Sequence, residues 1–331
     1  MKQLTALSES AKRGLGGEMK FQLFSVLAIL AIAHPVFSAD KNKTSQRATS
    51  QSKASTSANV RFNSLKSKNA GSTSAVVGTS GVESLYGFLE FRPSYTSVLG
   101  EAHTENTAEV GYKIAPTLKT GYVQYFSSNL MSNMSATQGL NLSANDGFLY
   151  FKAKEVWQTP DKHLSASYQL RLLTPTDSNK FNAGFITSVR NQFLLTYKFN
   201  ELVSLDLSYH PILHAYSKAG ILNSKGLLQA NPAFDHQVVL QPVFHPMNNL
   251  TLLLPVVYQL THFKQMAGAS NSSGWKKFIT FWPEIDYDIN PMHTVGIAYY
   301  TDNLISEYGS GLNLSNGFKN GVAQLVWGIN L

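Results

Sequence analysis

From Leu85 to Leu331 apolar and polar side chains alternate in runs of roughly ten residues, joined by connections that are by turns short and long. In the clearest run, Leu164, Ala166, Tyr168, Leu170 and Leu172 fall on one face and Ser165, Ser167, Gln169 and Arg171 on the other. Strand side chains point to opposite faces with period two, whereas a helix would scatter both sets. The next runs repeat the pattern. Val189, Phe193, Leu195, Tyr197 and Phe199 oppose Arg190, Gln192, Thr196 and Lys198; Val203, Leu205, Leu207 and Tyr209 oppose Ser204, Asp206, Ser208 and His210. One apolar and one polar face per strand suits a wall with hydrocarbon outside and water inside.

The pattern predicts strands at 84–95, 107–115, 117–127, 147–157, 163–173, 186–199, 201–216, 233–245, 249–262, 276–289, 293–302 and 318–331. Tight links fall at Ala115-Pro116, Gln158 to Lys162, Asn200-Glu201, Pro246 to Asn248 and Asn290 to Met292, and the remaining links are long. An all-β fold follows, an antiparallel up-and-down transmembrane β-barrel of about 12 strands with its termini on the short-turn side. Pro211, Pro242, Pro255 and Pro283 lie inside proposed strands, where proline removes a ladder donor; they are expected to mark bulges or rim positions. Strands broken there would lower the count to ten.

Charge separates the barrel from what precedes it. The chain carries a formal +7, yet residues 82–331 hold 16 Lys and Arg against 17 Asp and Glu, leaving 11 basic and 3 acidic side chains for residues 1–81. The basic excess is therefore not spread over the fold, and a nucleic-acid partner is not expected. Met19-Lys20, the apolar run Phe21–Ala33 and Val36-Phe37-Ser38-Ala39 read as a secretory signal closing a 1–39 segment. Residues 40–81, rich in Ser, Thr, Asn and Lys, read as a disordered periplasmic linker that touches an acidic polymer, enters the lumen or does neither. Residues 82–331 are the barrel. The chain has no cysteine, so thiolate metal sites and disulfides are excluded, and no cofactor is expected.

The last run places Ala323, Leu325, Trp327, Ile329 and Leu331 on one face. It resembles the C-terminal assembly signal of outer-membrane β-barrel proteins, which alternates apolar residues, carries an aromatic near the fifth position from the end and usually finishes in Phe. Trp327 matches and Leu331 departs. The resemblance implies a porin-like class in the outer membrane of a Gram-negative cell, with lipid and the barrel-assembly machinery as partners. Passage of small hydrophilic solutes is the leading expectation, a closed structural or surface-recognition barrel the alternative. Association into homo-oligomers stays open.

Inward parity assigns Lys152, Lys154, Arg171, Arg190 and Lys198 on strands 4 to 6, and Glu284, Asp286 and Asp288 on strand 10. In a ring of twelve, strand 4 faces strand 10, so a basic wall would oppose an acidic one and set up a transverse field. Packing of these residues as ordinary lumen fillers is the competing expectation. Glu90 and Arg92, alternating inward on strand 1, are expected to pair locally. Asp206, His210 and His214 share a face, but four residues of strand span about 13 Å, too far for neighbours to share a metal. His163 and Ser165 have the His-x-Ser spacing of barrel phospholipases, yet Ser165 has inward parity near a turn, so no enzyme activity is expected.

Overall fold

The computed structural model describes residues 85–96, 101–131, 142–222, 226–269, 271, 275–308 and 311–331; the leader and linker at 1–81 lie outside them. The barrel strands are β1 (Leu85–Thr96), β2 (Glu101–Ala115), β3 (Leu118–Met131), β4 (Gly147–Gln158), β5 (Leu164–Thr174) and β6 (Phe185–Lys198). There follow β7 (Val203–Tyr216), β8 (Pro232–Met247), β9 (Leu250–Leu253 and Val256–Phe263), β10 (Trp275–Phe281 and Glu284–Asp288), β11 (His293–Tyr300) and β12 (Val322–Asn330). Each pairs antiparallel with its sequence neighbours, and β12 pairs with β1, so the sheet closes on itself. Closure leaves no free edge, which lets a sheet cross a bilayer with its backbone groups satisfied. At the seam Leu331 N donates to Gly87 O at 2.9 Å and Gly87 N donates to Leu331 O at 3.3 Å.

Burial follows the sequence alternation. On β12, Ala323, Leu325 and Trp327 are exposed while Gln324, Val326 and Gly328 are buried. Leu149, Leu172, Leu195, Leu207, Leu240 and Ile297 are likewise exposed on the outer face. Such a continuous apolar exterior would be a liability in water and is the face a lipid bilayer covers. The interior is less uniformly polar than the alternation alone suggests. Val123, Tyr125, Phe148, Tyr150, Leu173 and Phe185 form one buried cluster, and Val239, Val257, Trp282, Ala298, Tyr300 and Val326 another. A ring this small brings inward side chains into contact, so some of its wall packs against itself.

Short turns occupy one end, the other carries most of the long connections. The β1–β2 connection departs from expectation: it is only residues 97–100, because pairing runs on to Thr96↔Glu101. A short helix, α1 (Ser178–Asn182), sits in the β5–β6 loop, and a small hairpin, Gly220–Leu222 with Leu228–Ala230, in the β7–β8 loop. The strand expected from Phe318 begins instead at Val322, because a second helix, α2 (Leu314–Lys319), precedes it and ends at Asn320-Gly321. Gly317 N donates to Asn313 O and Gly321 N to Phe318 O, so this stretch satisfies its backbone locally rather than in the wall.

The prolines divide into two kinds. Pro211 and Pro242 sit within unbroken register on β7 and β8, opposite His236 and Leu205. Pro255 and Pro283 fall at the interruptions of β9 and β10, in mid-strand rather than at a rim. Strand count is unaffected, because both halves of β9 stay on β8 and each half pairs with a half of β10. Each carbonyl still accepts across the gap: Leu254 N donates to Pro242 O, Trp282 N to Pro255 O and Tyr299 N to Pro283 O. Three prolines on three adjacent strands thus trace a diagonal along which donors are missing and acceptors are not.

Candidate functional site

The inward faces form rungs that run around the wall. One rung is Lys113↔Lys119↔Lys152↔Gln169↔Gln192 across β2 to β6. The next is Tyr86↔Gly111↔Gly121↔Tyr150↔Arg171↔Arg190, from β1 to β6. Adjacent strands are about 4.8 Å apart, so each rung holds its charges at close, regular intervals.

The glycines of the second rung make room for its tyrosines. A Cβ on Gly121 would lie 2.5 Å from Val110 O and 2.7 Å from the Tyr150 hydroxyl; one on Gly111 would lie 2.4 Å from the Tyr86 ring. Over this bare backbone the Tyr86 and Tyr150 hydroxyls hydrogen-bond, and Tyr150 OH donates to Glu109 Oε1 at 2.6 Å. Lys119 Nζ sits 4.7 Å from the centre of the Tyr86 ring, a cation–π contact.

Arg171 and Arg190 face each other in register and are buried. Arg171 Nη2 donates to Gln169 Oε1 at 3.3 Å, and its guanidinium lies 4.5 Å from the Phe148 ring centre. Arg190 Nη2 donates to His210 Nδ1 at 2.7 Å and Gln237 Oε1 at 2.5 Å. From there a chain of polar contacts crosses β8 and β9: Gln237 Nε2 donates to Gln259 Oε1, and Gln259 Nε2 to Asp235 Oδ2. His214 joins it, with Nε2 3.0 Å from Asp235 Oδ2 and Ser188 Oγ 2.6 Å from Nδ1. Ser188, His214 and Asp235 have the connectivity of a hydrolytic triad, with Ser188 buried in the wall at 1% exposure.

On the acidic side the side chains engage partners rather than stand as a bare wall. Arg92 reaches from β1 past β12 and β11 to Glu284 on β10: Nη1 donates to Oε2 at 2.9 Å and Nη2 to Oε1 at 3.0 Å. The fork is bidentate, the strongest geometry open to this pair. Arg92 Nε also donates to Glu90 Oε1 at 2.8 Å, which is the expected local pairing. Asp286 is half-buried at the level of Thr251 and Gly296, and Asp288, also half-buried, accepts from Thr294 Oγ1 at 2.7 Å.

The remaining assignments scatter. Lys152 lies on the lysine rung. Lys154 sits at a β-bulge between Ala153 and Trp157, its backbone N bonded to Thr117 O, and Glu155 adopts φ 49° beside it. Lys198 is the exposed last residue of β6, away from the arginine pair. Trp327 is exposed beside Phe91, ring centres 5.7 Å apart, with Ile329 half-buried and Leu331 exposed. His163 is exposed and its ring meets Lys198 O at 2.6 Å, whereas Ser165 is buried in the wall. Asp206 accepts from Thr196 Oγ1 at 2.6 Å, and among the described residues no group of three His, Asp or Glu side chains is placed to hold a metal ion.

Lys113, Lys119, Glu105 and Glu109 are absent from the sequence-based set, although their parity is inward. Glu105 Oε2 accepts from Gln324 Nε2 at 3.0 Å. What parity lacks is register: only the pairing of β2 with β3 and of β3 with β4 shows that three lysines far apart in the chain occupy one rung.

No family model matches the sequence, and no curated protein matches it. Among solved structures the chain is similar to the NanC porin, at 13% identity and a TM-score of 0.45 over 73% of this chain and 98% of that one. It is similar also to the KdgM porin, at 8% identity and a TM-score of 0.42 over 73% and 97%. A third is the outer membrane channel DcaP of Acinetobacter baumannii, at 9% identity and a TM-score of 0.37 over 75% and 96%.

Proposed function

We propose that the protein is an outer-membrane channel through which small hydrophilic solutes pass passively along a charged lumen. The observation that carries this reading is the division of one wall into an apolar exterior and an interior with ionisable side chains on most strands. A barrel placed in a bilayer in this way puts its short turns and both termini in the periplasm and its long loops outside the cell. In that orientation the 40–81 linker is periplasmic and the β12 pattern faces the assembly machinery.

The basic residues on β4 to β6 and the acidic ones on β10 support a transverse field that orients dipolar solutes. Exchanging both Asp286 and Asp288 for Asn is then expected to shift the reversal potential of a salt gradient toward anions; an unchanged potential would remove the field from the account. A second reading, a barrel whose interior is closed and whose loops do the work, is favoured by the complete burial of His210 and Gln237 in the wall. Single-channel recording on refolded full-length protein separates the two. Reproducible open steps support the channel, and silence from a well-folded sample supports the closed barrel.

A further inference from the structure

We infer that the wall formed by β2 to β6 carries a binding site for multivalent oxyanions, built by Lys113, Lys119, Lys152, Arg171 and Arg190. The proposal names the solute class for the lumen proposed above, and rests on that reading only for transport, not for binding.

Two adjacent rungs place these five cations on five consecutive strands. On those strands the same rungs carry no carboxylate; their other inward residues are Gly111, Gly121, Tyr150, Gln169 and Gln192. Glu109, one rung further along, offsets part of the charge and is engaged by Tyr150. Like charges so close repel one another; the two arginines are buried and the three lysines half-buried, so an arrangement with this excess of cations is stabilised by a bound anion.

Arg171 carries the argument furthest. It is 2% exposed, its bonded acceptor among the described residues is the neutral Gln169, and its Nε has no hydrogen-bond partner there. A buried guanidinium with an unused donor is a ready half of an Arg–carboxylate or Arg–phosphate contact. The lysines supply what a single arginine cannot, a row of charges at the interstrand spacing of about 4.8 Å. An oligoanion with negative groups a few ångströms apart meets several at once, whereas chloride meets one. Tyr86 and Phe148, lying against Lys119 and Arg171, hold the two cations by their ring faces and leave N–H groups free to turn to the ligand.

Inorganic tripolyphosphate is the probe, titrated calorimetrically into refolded full-length protein in non-ionic detergent. One saturable site is expected, weakening as salt rises. Lys119→Gln with Lys152→Gln should weaken it at least tenfold, Lys119→Arg with Lys152→Arg should retain most of it, and Lys319→Gln on α2 should leave it unchanged. If the Gln pair fails to fold, as judged by far-UV circular dichroism, Lys113→Gln alone is expected to weaken binding several-fold. No binding to wild type, or equal binding by a folded Gln variant, overturns the site. The same variants in a planar bilayer keep the two readings apart: tripolyphosphate bound without open channels defeats the channel and spares the site, while open channels with no binding do the reverse.

Discussion

The Arg92–Glu284 fork links strands separated by two others, and removing it tests whether the interior is held together across the lumen. The side chains of Arg92 and Glu284 are 4% and 7% exposed. Removing one member of a buried ion pair costs about 3–5 kcal/mol, because the other is left desolvated without compensation. Glu284→Gln falls near the lower end, since Arg92 keeps Glu90, whose side chain is 14% exposed. A loss of about 3 kcal/mol is about two decades in the unfolding equilibrium. Arg92→Met takes from Glu284 the cation bonded to it, and falls near the upper end. Combining Arg92→Met with Glu284→Gln removes two desolvated charges together, so the double variant should recover about 2 kcal/mol relative to the sum of the single losses. Urea unfolding in phospholipid vesicles, followed by tryptophan fluorescence, reads all three; Trp282 packs 4.9 Å from Tyr300, which itself lies 3.4 Å from Arg92 Nη1. Strictly additive losses would show that the pair does not act as a unit, and the reasoning would fail.

Three further outcomes follow from the wall. Leu195 and Leu207 are paired and exposed on the outer face, so Leu195→Arg should cost about 2–4 kcal/mol in a bilayer; an unchanged urea midpoint in vesicles would contradict a lipid-facing belt there. Gly121→Val should destabilise by about 1–3 kcal/mol, because its Cβ meets the backbone of β2, which cannot turn away, as well as the Tyr150 hydroxyl, while Gly311→Ala, with open space around it, should be neutral in the same assay. In the β4–β5 turn, hydrogen bonds from Thr159 Oγ1 and His163 N hold the Asp161 carboxyl below the usual aspartate range. The depressed folded-state value means its contribution is present above the unfolded pKa and lost as pH falls through the folded one, so Asp161→Asn should differ from wild type at pH 7 and converge with it in acid.

How far the sequence reaches differs between wall and site. The alternation from Leu164 to Leu172 predicts both the strand and its faces, because lipid and lumen impose opposite demands on successive residues. Ten of the twelve strands need only end adjustments, and β9 and β10 keep their places despite Pro255 and Pro283. The Phe318 start is misplaced because Leu314 to Lys319 satisfies its backbone as a short helix, which Asn320-Gly321 ends just before the ladder begins. Parity also places Arg171, Arg190 and Glu284 inward. It does not show that Arg92 crosses to Glu284, nor that Lys113, Lys119 and Lys152 share a rung, since both depend on register between segments distant in sequence. Lys198 shows the complementary limit: correct parity at the last position of a strand places a side chain at the rim, where solvent competes for it.

The proline diagonal has a mechanical consequence. A closed ring that changes the shape of its opening must bend somewhere, and unbroken ladders resist bending because every rung is tied on both sides. Along Pro242, Pro255 and Pro283 three ties are missing on three successive strands, so the ring has fewer cross-links to resist bending on that line. Glu284 directly follows Pro283, and Arg92 grips it from the far side of the seam. The fork is in this sense a strut bearing on a crease, and it keeps a softened stretch of wall from folding inward or springing out.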